Sequence, residues 1–191
     1  NKKRCKSICS FFSRHVGRNA RIVSQVFIQE NFFPTEMYNE IVHLMTQAEY
    51  SPPPKEDIER LQGSYWHTHN LPNNCDVQIE IKKLIKEKFN FNVSSFVNSI
   101  YTMVGASDKP RPHTDEKTGC THQCLIFMHG EESTNNGTGF YHEVSPENLQ
   151  LSIHVGFKRN RAIFFTSDVI HAPLQWAGNG SFRYSICNFF T

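Results

Sequence analysis

The sequence predicts an α+β domain in which two helices pack on a β-sandwich or an open barrel. Two amphipathic stretches lie in its first half, and beyond Asn92 about six short β-branched and aromatic runs alternate with Gly, Pro, Asn and Asp clusters. The length of 191 residues suits one domain with a substantial core, and the 16 phenylalanines predict a core rich in aromatic rings.

An entry strand and a helix are predicted first. Residues 22–29, "IVSQVFIQ", have the β-branched composition of a strand, and Pro34 with Thr35 predicts a helix start because proline suits the first helical turn. The apolar stripe of this helix comprises Met37, Ile41, Leu44 and Met45. The three consecutive prolines in "SPPPKEDIERLQG" then predict a surface loop.

A second amphipathic helix follows in "DVQIEIKKLIKEKFN", with Asp76 as its predicted N-cap. Its apolar face comprises Val77, Ile81, Leu84 and Ile85, with lysines opposite. The strands are then predicted at residues 93–104, 122–130, 138–143, 149–157, 161–167 and 182–190.

Basic residues are concentrated in a predicted N-terminal extension, residues 1–21, which holds seven Lys and Arg and no acid. Residues 22–191, the predicted catalytic domain, then hold 13 basic and 18 acidic residues, a net charge of −5. A solvated extension is the favoured interpretation, and contact with nucleic acid or anionic lipid is the alternative.

Cysteine usage and hydropathy bear on the compartment. Six cysteines are too sparse for a disulfide framework and indicate reduced thiols, as in the cytoplasm or another reducing intracellular compartment. No apolar run has the length of a membrane span, and no sequence feature specifies an oligomeric state.

The stretch "RPHTDEKTGC" contains a candidate pair of metal ligands, His113 and Asp115. On an extended segment, residues two apart point the same way, so both side chains can face one ion. A facial site for non-haem Fe(II) takes two imidazoles and one carboxylate, and His171, directly after the predicted strand at 161–167, is the candidate third ligand.

A second pair, Arg183 and Ser185 in "FRYS", shares one face of the last predicted strand. A guanidinium grips a carboxylate with two charge-assisted hydrogen bonds, and a neighbouring hydroxyl can donate another. The pair therefore suits a dicarboxylate whose other end reaches the metal.

Over residues 22–191 the sequence resembles the Fe(II)/2-oxoglutarate-dependent dioxygenases, in particular the prolyl-4-hydroxylase-like branch. The resemblance rests on the order and spacing of "VFIQENFFPTEMYNEIV", "HTD", "GTGFY", "NRAIFFTSDVIHAP" and "RYS". It implies a double-stranded β-helix, a cupin-like jelly roll, with the N-terminal helices packed on one sheet.

The same resemblance implies roles for individual residues. His113, Asp115 and His171 would be the Fe(II) ligands, while Arg183 and Ser185 would bind the C5 carboxylate of 2-oxoglutarate. Tyr101 resembles the family tyrosine whose hydroxyl binds the same co-substrate, the alternative being a half-buried strand tyrosine. The implied reaction consumes O2, with ascorbate as an optional reductant, and a carboxylate at position 115 favours hydroxylation over halogenation.

The substrate class is less constrained. A prolyl or other residue of a protein or peptide fits the resemblance best, although collagen-type prolyl hydroxylases have lysine where Arg183 stands; a free amino acid or small metabolite is next. Oxidative nucleic-acid demethylases resemble the motif but add an arginine six residues later, where this chain has Phe189. The non-enzymatic alternative is a catalytically silent β-barrel binding module.

Two other clusters have metal-ligand spacing. "CTHQC" could suggest zinc, but no second cysteine pair completes a tetrahedral set, so a structural role on a strand is favoured. His67 and His69 in "WHTHN" lack a suitably placed carboxylate and are interpreted as substrate-loop or surface residues.

Overall fold

The computed structural model describes residues 26–52, 55–56, 66–104, 111–145, 148–174 and 182–191, so the predicted basic extension lies outside the described residues. The α-helices that the structure describes in full are α1 (Thr35–Gln47) and α2 (Asp76–Phe89). The strands are β1 (Phe27–Gln29), β2 (Trp66–His67), β3 (Phe96–Val104), β4 (His122–His129), β5 (Ser133–Ser145), β6 (Asn148–Phe157), β7 (Arg161–Thr166), β8 (Ile170–Leu174) and β9 (Arg183–Phe190).

The strands form two antiparallel sheets. The larger has the order β1-β7-β4-β9-β3-β2, and the smaller has the order β6-β5-β8. Non-sequential neighbours such as β4 and β9 show that the chain crosses between sheets, as in a jelly roll. The predicted α+β class is confirmed.

Two hydrophobic cores lie on opposite faces of the larger sheet. One, which includes Phe127, Phe140 and Phe165, fills the space between the two sheets. The other packs α1 and α2 against the larger sheet through residues such as Ile41 and Ile81. The N-terminal helices therefore pack on one sheet, as predicted, and the core between the two sheets shares the barrel interior with the site described below.

The helices differ from prediction in detail. Ile41 and Met45 of α1 are buried, but Leu44 is 48% exposed and does not belong to the packed stripe. The N-cap of α2 is Cys75, with Asp76 in the first turn, so the predicted N-cap was one residue off. Asn90 ends α2 in the left-handed conformation that suits asparagine.

Two strands were absent from the prediction. β2 has only two residues, and β8 has five with Pro173 inside, a residue that argues against a strand. β8 nevertheless pairs with β5, placing His171 opposite Phe140. β5 itself begins at Ser133, five residues before the predicted start, because its polar first part also pairs with β6.

Gly137 permits the close approach of β5 and β6. Its φ is +152°, and a Cβ at this position would lie 2.0 Å from the carbonyl oxygen of Val155. Since the obstacle is backbone, a side chain cannot be accommodated without separating the two strands.

We expect Gly137→Ala to lower the free energy of unfolding by about 3 kcal/mol, the combined scale of backbone strain and overpacking. Gly119→Ala is the matched control, since φ there is +81° but nothing lies within 4 Å of the added Cβ. Urea unfolding should show a loss of only about 1 kcal/mol for the control. Equal losses for the two variants would contradict a steric role for Gly137.

Candidate metal and co-substrate site

Backbone hydrogen bonds bring His113 and His171 side by side. The two residues form an antiparallel bridge, in which the His113 N–H donates to the His171 carbonyl at 3.0 Å and the His171 N–H donates back at 2.9 Å. The Asp115 N–H donates to the Ser167 carbonyl at 2.9 Å. The segment that carries the first pair thus lies along the start of β8, which carries the third residue.

The three side chains converge. Potential ligand atoms of His113, Asp115 and His171 all lie within 4.8 Å of one another. Asp115 Oδ2 lies 3.3 Å from His171 Nε2, and Asp115 Oδ1 lies 3.8 Å from His113 Nε2. The convergence that the spacing predicted is therefore present in the fold.

Backbone carbonyls set the tautomer of both imidazoles. His113 Nδ1 lies 2.8 Å from the Arg111 carbonyl oxygen, and His171 Nδ1 lies 3.0 Å from that of Val169. A carbonyl only accepts, so each Nδ1 carries a proton, and in the neutral form of each ring it is Nε2 that presents the lone pair. Lone pairs of two imidazoles and a carboxylate then face one point, an arrangement that a cation stabilises.

Burial keeps His171 neutral. The pKa of His171 is lowered to about 4. Desolvation by burial is the largest cause and the nearby His113 is the next, while the Asp115 carboxylate raises the pKa. The neutral imidazole is the form that binds a metal ion.

Arg183 of β9 is buried among groups that leave part of its guanidinium unpaired. It is 4% exposed, and its Nη1 donates to Asn136 Oδ1 and to the Gly137 carbonyl, both at 2.6 Å. Its Nε is buried and has no partner among the residues the structure describes. Burial lowers the pKa of Arg183 to about 10, so the group remains cationic at neutral pH.

A cation buried in this way favours an anionic ligand. Within the described ranges no carboxylate forms an ion pair with Arg183, and the guanidinium carbon lies 5.7 Å from the centre of the Phe127 ring. Uncompensated buried charge is costly, and a carboxylate that binds there would relieve the cost.

One cavity of about 100 Å³ joins the two groups. Its lining includes the three converging side chains together with Arg183 and Ser185. Most of the remaining wall is apolar, and the polar residues in it include Gln123 and Thr138. Sequence reasoning missed Gln123, Thr138 and Asn136, because a polar residue inside a strand gives no indication of which face it lies on.

Tyr101 is the predicted site residue that the structure places elsewhere. It belongs to the core between the larger sheet and the helices, whereas Ile100 and Thr102 line the cavity. Burial raises the pKa of Tyr101 to about 12. The co-substrate role predicted for Tyr101 is corrected to a core role, because alternation along β3 turns its side chain away from the barrel interior.

The stretches "CTHQC" and "WHTHN", which have metal-ligand spacing in the sequence, do not form groups of three potential ligands among the described residues. Cys124 is fully buried in the helix-side core, and the His122 ring lies 4.3 Å from that of Phe91. Over the described ranges, only His113, Asp115 and His171 form a group of three potential ligands. Also within the described part of the chain, no helix is long and apolar enough to cross a membrane.

No family model and no curated protein matches the sequence. Among solved structures, the chain is similar to a Pseudomonas putida prolyl-4-hydroxylase, with a TM-score of 0.59 and 12% identity over 86% of this chain and 91% of that one. A Trichoplax adhaerens prolyl hydroxylase, solved with a peptide fragment of hypoxia-inducible factor, gives 0.60 and 14% over 86% and 82%. The α-ketoglutarate-dependent epimerase SnoN of nogalamycin biosynthesis gives 0.64 and 9% over 88% and 78%.

These likenesses establish the fold. The chain has the double-stranded β-helix architecture of solved 2-oxoglutarate- and Fe(II)-dependent oxygenases, and the predicted fold class is confirmed. A His-Asp-His group lies inside that barrel.

We expect nitrogen NMR spectra of the metal-free protein at pH 6 to show His171 as the neutral tautomer with its proton on Nδ1. The Val169 carbonyl holds that proton, and pH 6 is well above the pKa of about 4 that burial produces. His171→Gln assigns the resonance by its loss. A protonated ring, or a proton on Nε2, would contradict the geometry.

Proposed function

We propose that the chain is an Fe(II)- and 2-oxoglutarate-dependent hydroxylase that acts on a C–H bond and releases succinate and CO2. The observation that carries the proposal is that one cavity is lined by both a His-Asp-His group and a buried arginine that has no carboxylate partner among the described residues. Each feature alone has structural explanations. Together they match a metal chelated by a keto acid whose far carboxylate needs a cationic anchor.

The donor set fits ferrous iron. His113 and His171 offer neutral nitrogen through Nε2, and Asp115 offers a carboxylate oxygen, which is the ligand set of non-haem Fe(II) oxygenases. Held by these three residues, Fe(II) would supply O2 activation coupled to the oxidative decarboxylation of 2-oxoglutarate, the chemistry needed to oxidise a substrate C–H bond. The chain's own contribution would be to hold these three ligand atoms within 4.8 Å of one another, ready for the ion.

The position at which Arg183 would bind the 2-oxoglutarate carboxylate can be inferred from which of its N–H donors are already hydrogen-bonded. Because Nη1 is bound by Asn136 and Gly137, the carboxylate would meet the remaining edge of the guanidinium, where Nε lacks a partner in the described structure. Ser185, two residues on and 3% exposed, lines the same cavity and can donate a further hydrogen bond. Because much of the cavity wall is apolar, a charge-assisted pair between that carboxylate and Arg183 would be stronger there than in bulk water.

A protein or peptide residue is the substrate class we favour. The cavity volume of about 100 Å³ is well below the 300–1,000 Å³ of pockets that enclose a drug-sized ligand, and 2-oxoglutarate would occupy much of it. A single side chain of a peptide can approach the remaining space from outside. The peptide complex of the Trichoplax adhaerens enzyme supports this class by analogy.

Other substrates are outcomes of a direct test. Succinate release should be measured with prolyl peptides, free amino acids and methylated oligonucleotides, after subtraction of the uncoupled rate. Stimulation by peptides supports the favoured class. Stimulation by an amino acid or oligonucleotide instead would overturn the substrate class and leave the cofactor assignment intact.

We expect Asp115→Ala to abolish two properties of the wild-type chain. These are a weak visible charge-transfer band with anaerobic Fe(II) and 2-oxoglutarate, and succinate release in air. The reason is that the variant removes the carboxylate from the ligand set. Asp76→Ala, an exposed carboxylate in the first turn of α2, is the matched control and should retain both properties.

A catalytically silent binding module makes the opposite prediction. It would show no band in the wild type, and its melting temperature would not depend on 2-oxoglutarate in the presence of metal. That result would overturn the proposed function.

Arg183→Lys should raise the KM for 2-oxoglutarate at least about tenfold, since one ammonium cannot reproduce the planar fork of donors. The affinity for Mn(II) should stay within about twofold, because Arg183 is outside the ligand set. Steady-state kinetics at saturating Fe(II) give the first value, and titration of the metal-free protein gives the second. An unchanged KM would show that the anchor lies elsewhere.

A further inference from the structure

Gln123 of β4 contacts one of the converging side chains directly. Its Nε2 lies 2.6 Å from Asp115 Oδ2, and the residue is 5% exposed in the lining of the cavity. We propose that Gln123 is a positioning residue that holds the Asp115 carboxylate in the orientation required for metal binding. This inference rests on the proposed function, because it concerns the same metal site.

The surroundings of Gln123 argue against a packing role. Its register neighbours are Phe165 on β7 and Phe189 on β9, and both line the same cavity. Leu125 and Phe127, the next residues of β4 on this face, are apolar. A buried amide between aromatic rings is unfavourable unless it is hydrogen-bonded, so the contact with Asp115 is what makes glutamine acceptable here.

The backbone of Asp115 is already held without Gln123. Its N–H donates to the Ser167 carbonyl, and its own carbonyl accepts from the N–H of Thr118 at 3.0 Å and from the Thr118 hydroxyl at 2.7 Å. None of these bonds restrains rotation of the carboxylate about the side-chain bonds. Among the described residues, Gln123 is the side chain that donates a hydrogen bond to a carboxylate oxygen of Asp115.

The two carboxylate oxygens of Asp115 have different neighbours, and this difference explains how Gln123 can orient the group. Gln123 engages Oδ2, the oxygen that lies 3.3 Å from His171 Nε2, and leaves Oδ1, 3.8 Å from His113 Nε2, without a side-chain donor among the described residues. A carboxylate held by one oxygen offers the other in a defined direction, and the ion then meets all three ligands without reorganisation. Without the amide, the free carboxylate has to lose its rotational freedom when the metal binds.

The test is titration of the metal-free protein with Mn(II), an ion that does not react with O2. Gln123→Met keeps the length and approximate volume of the side chain and removes the donor. We expect its Kd for Mn(II) to rise about 10- to 100-fold, the range found for residues that orient ligands. Gln123→Asn, which keeps the amide but is too short to reach Oδ2, should behave in the same way.

Gln78→Met is the matched control. Gln78 is 3% exposed, lies on α2 outside the cavity lining, and accepts a hydrogen bond from the Asn74 N–H, so its replacement also removes a buried amide. Its Kd for Mn(II) should remain within about twofold of the wild type. A second readout is the visible spectrum of the Co(II)-saturated protein, which should change for Gln123→Met and not for Gln78→Met, because only the former alters the ligand geometry.

The outcomes distinguish failure of the role proposed for Gln123 from failure of the proposed metal site. An unchanged Kd in both Gln123 variants, or an equal weakening in Gln78→Met, would overturn the role of Gln123 while the metal site stands. Failure of the wild-type chain to bind Mn(II) would overturn the proposed function itself. A weaker Kd and a changed Co(II) spectrum confined to the Gln123 variants would establish the positioning role.

Discussion

The pair of hydrogen bonds between the backbones of His113 and His171 is the interaction on which the site depends. It attaches the segment before β4 to the free edge of β8, and it sets the two imidazole rings with centroids 4.8 Å apart. Side chains alone could not hold this spacing, since each ring has two free torsions. A backbone bridge removes most of that freedom before any ion binds, and the carbonyls that accept from Nδ1 remove the rest.

The second constraint is the burial of a cation in the barrel interior. Arg183 is held by Asn136 and Gly137, so the strand that carries its acceptors must approach β9 closely. Gly137 is also where β5 approaches β6 more closely than a side chain allows. The same residue therefore serves the fold and the site, and a change that separates β5 from β6 would also move the acceptor that orients the guanidinium.

Sequence periodicity predicted most of the site, because the relevant pairs are local. His113 with Asp115, and Arg183 with Ser185, each obey a period of two that any extended segment satisfies. Tyr101 was misplaced because the period states which residues share a face and not which face is inside; that choice is made by the pairing of β3 with β9. Gln123 was missed for the same reason, and β8 because Pro173 interrupts a short run.

The chain shares its fold with solved structures that are only 9–14% identical to it, because few positions carry the polar contacts described above. The walls of the cavity and both cores need apolar side chains of suitable volume, and many sequences satisfy that requirement. The polar positions are specific, but each acts through a backbone group or one neighbour: the two carbonyls at the imidazoles, the Asn136 amide at Arg183, the Gln123 amide at Asp115. The polar geometry of the cavity is therefore maintained by pairs of contacts, while many different apolar side chains can form the surrounding sheets. The helices on the far side of the larger sheet stabilise those sheets without reaching the cavity.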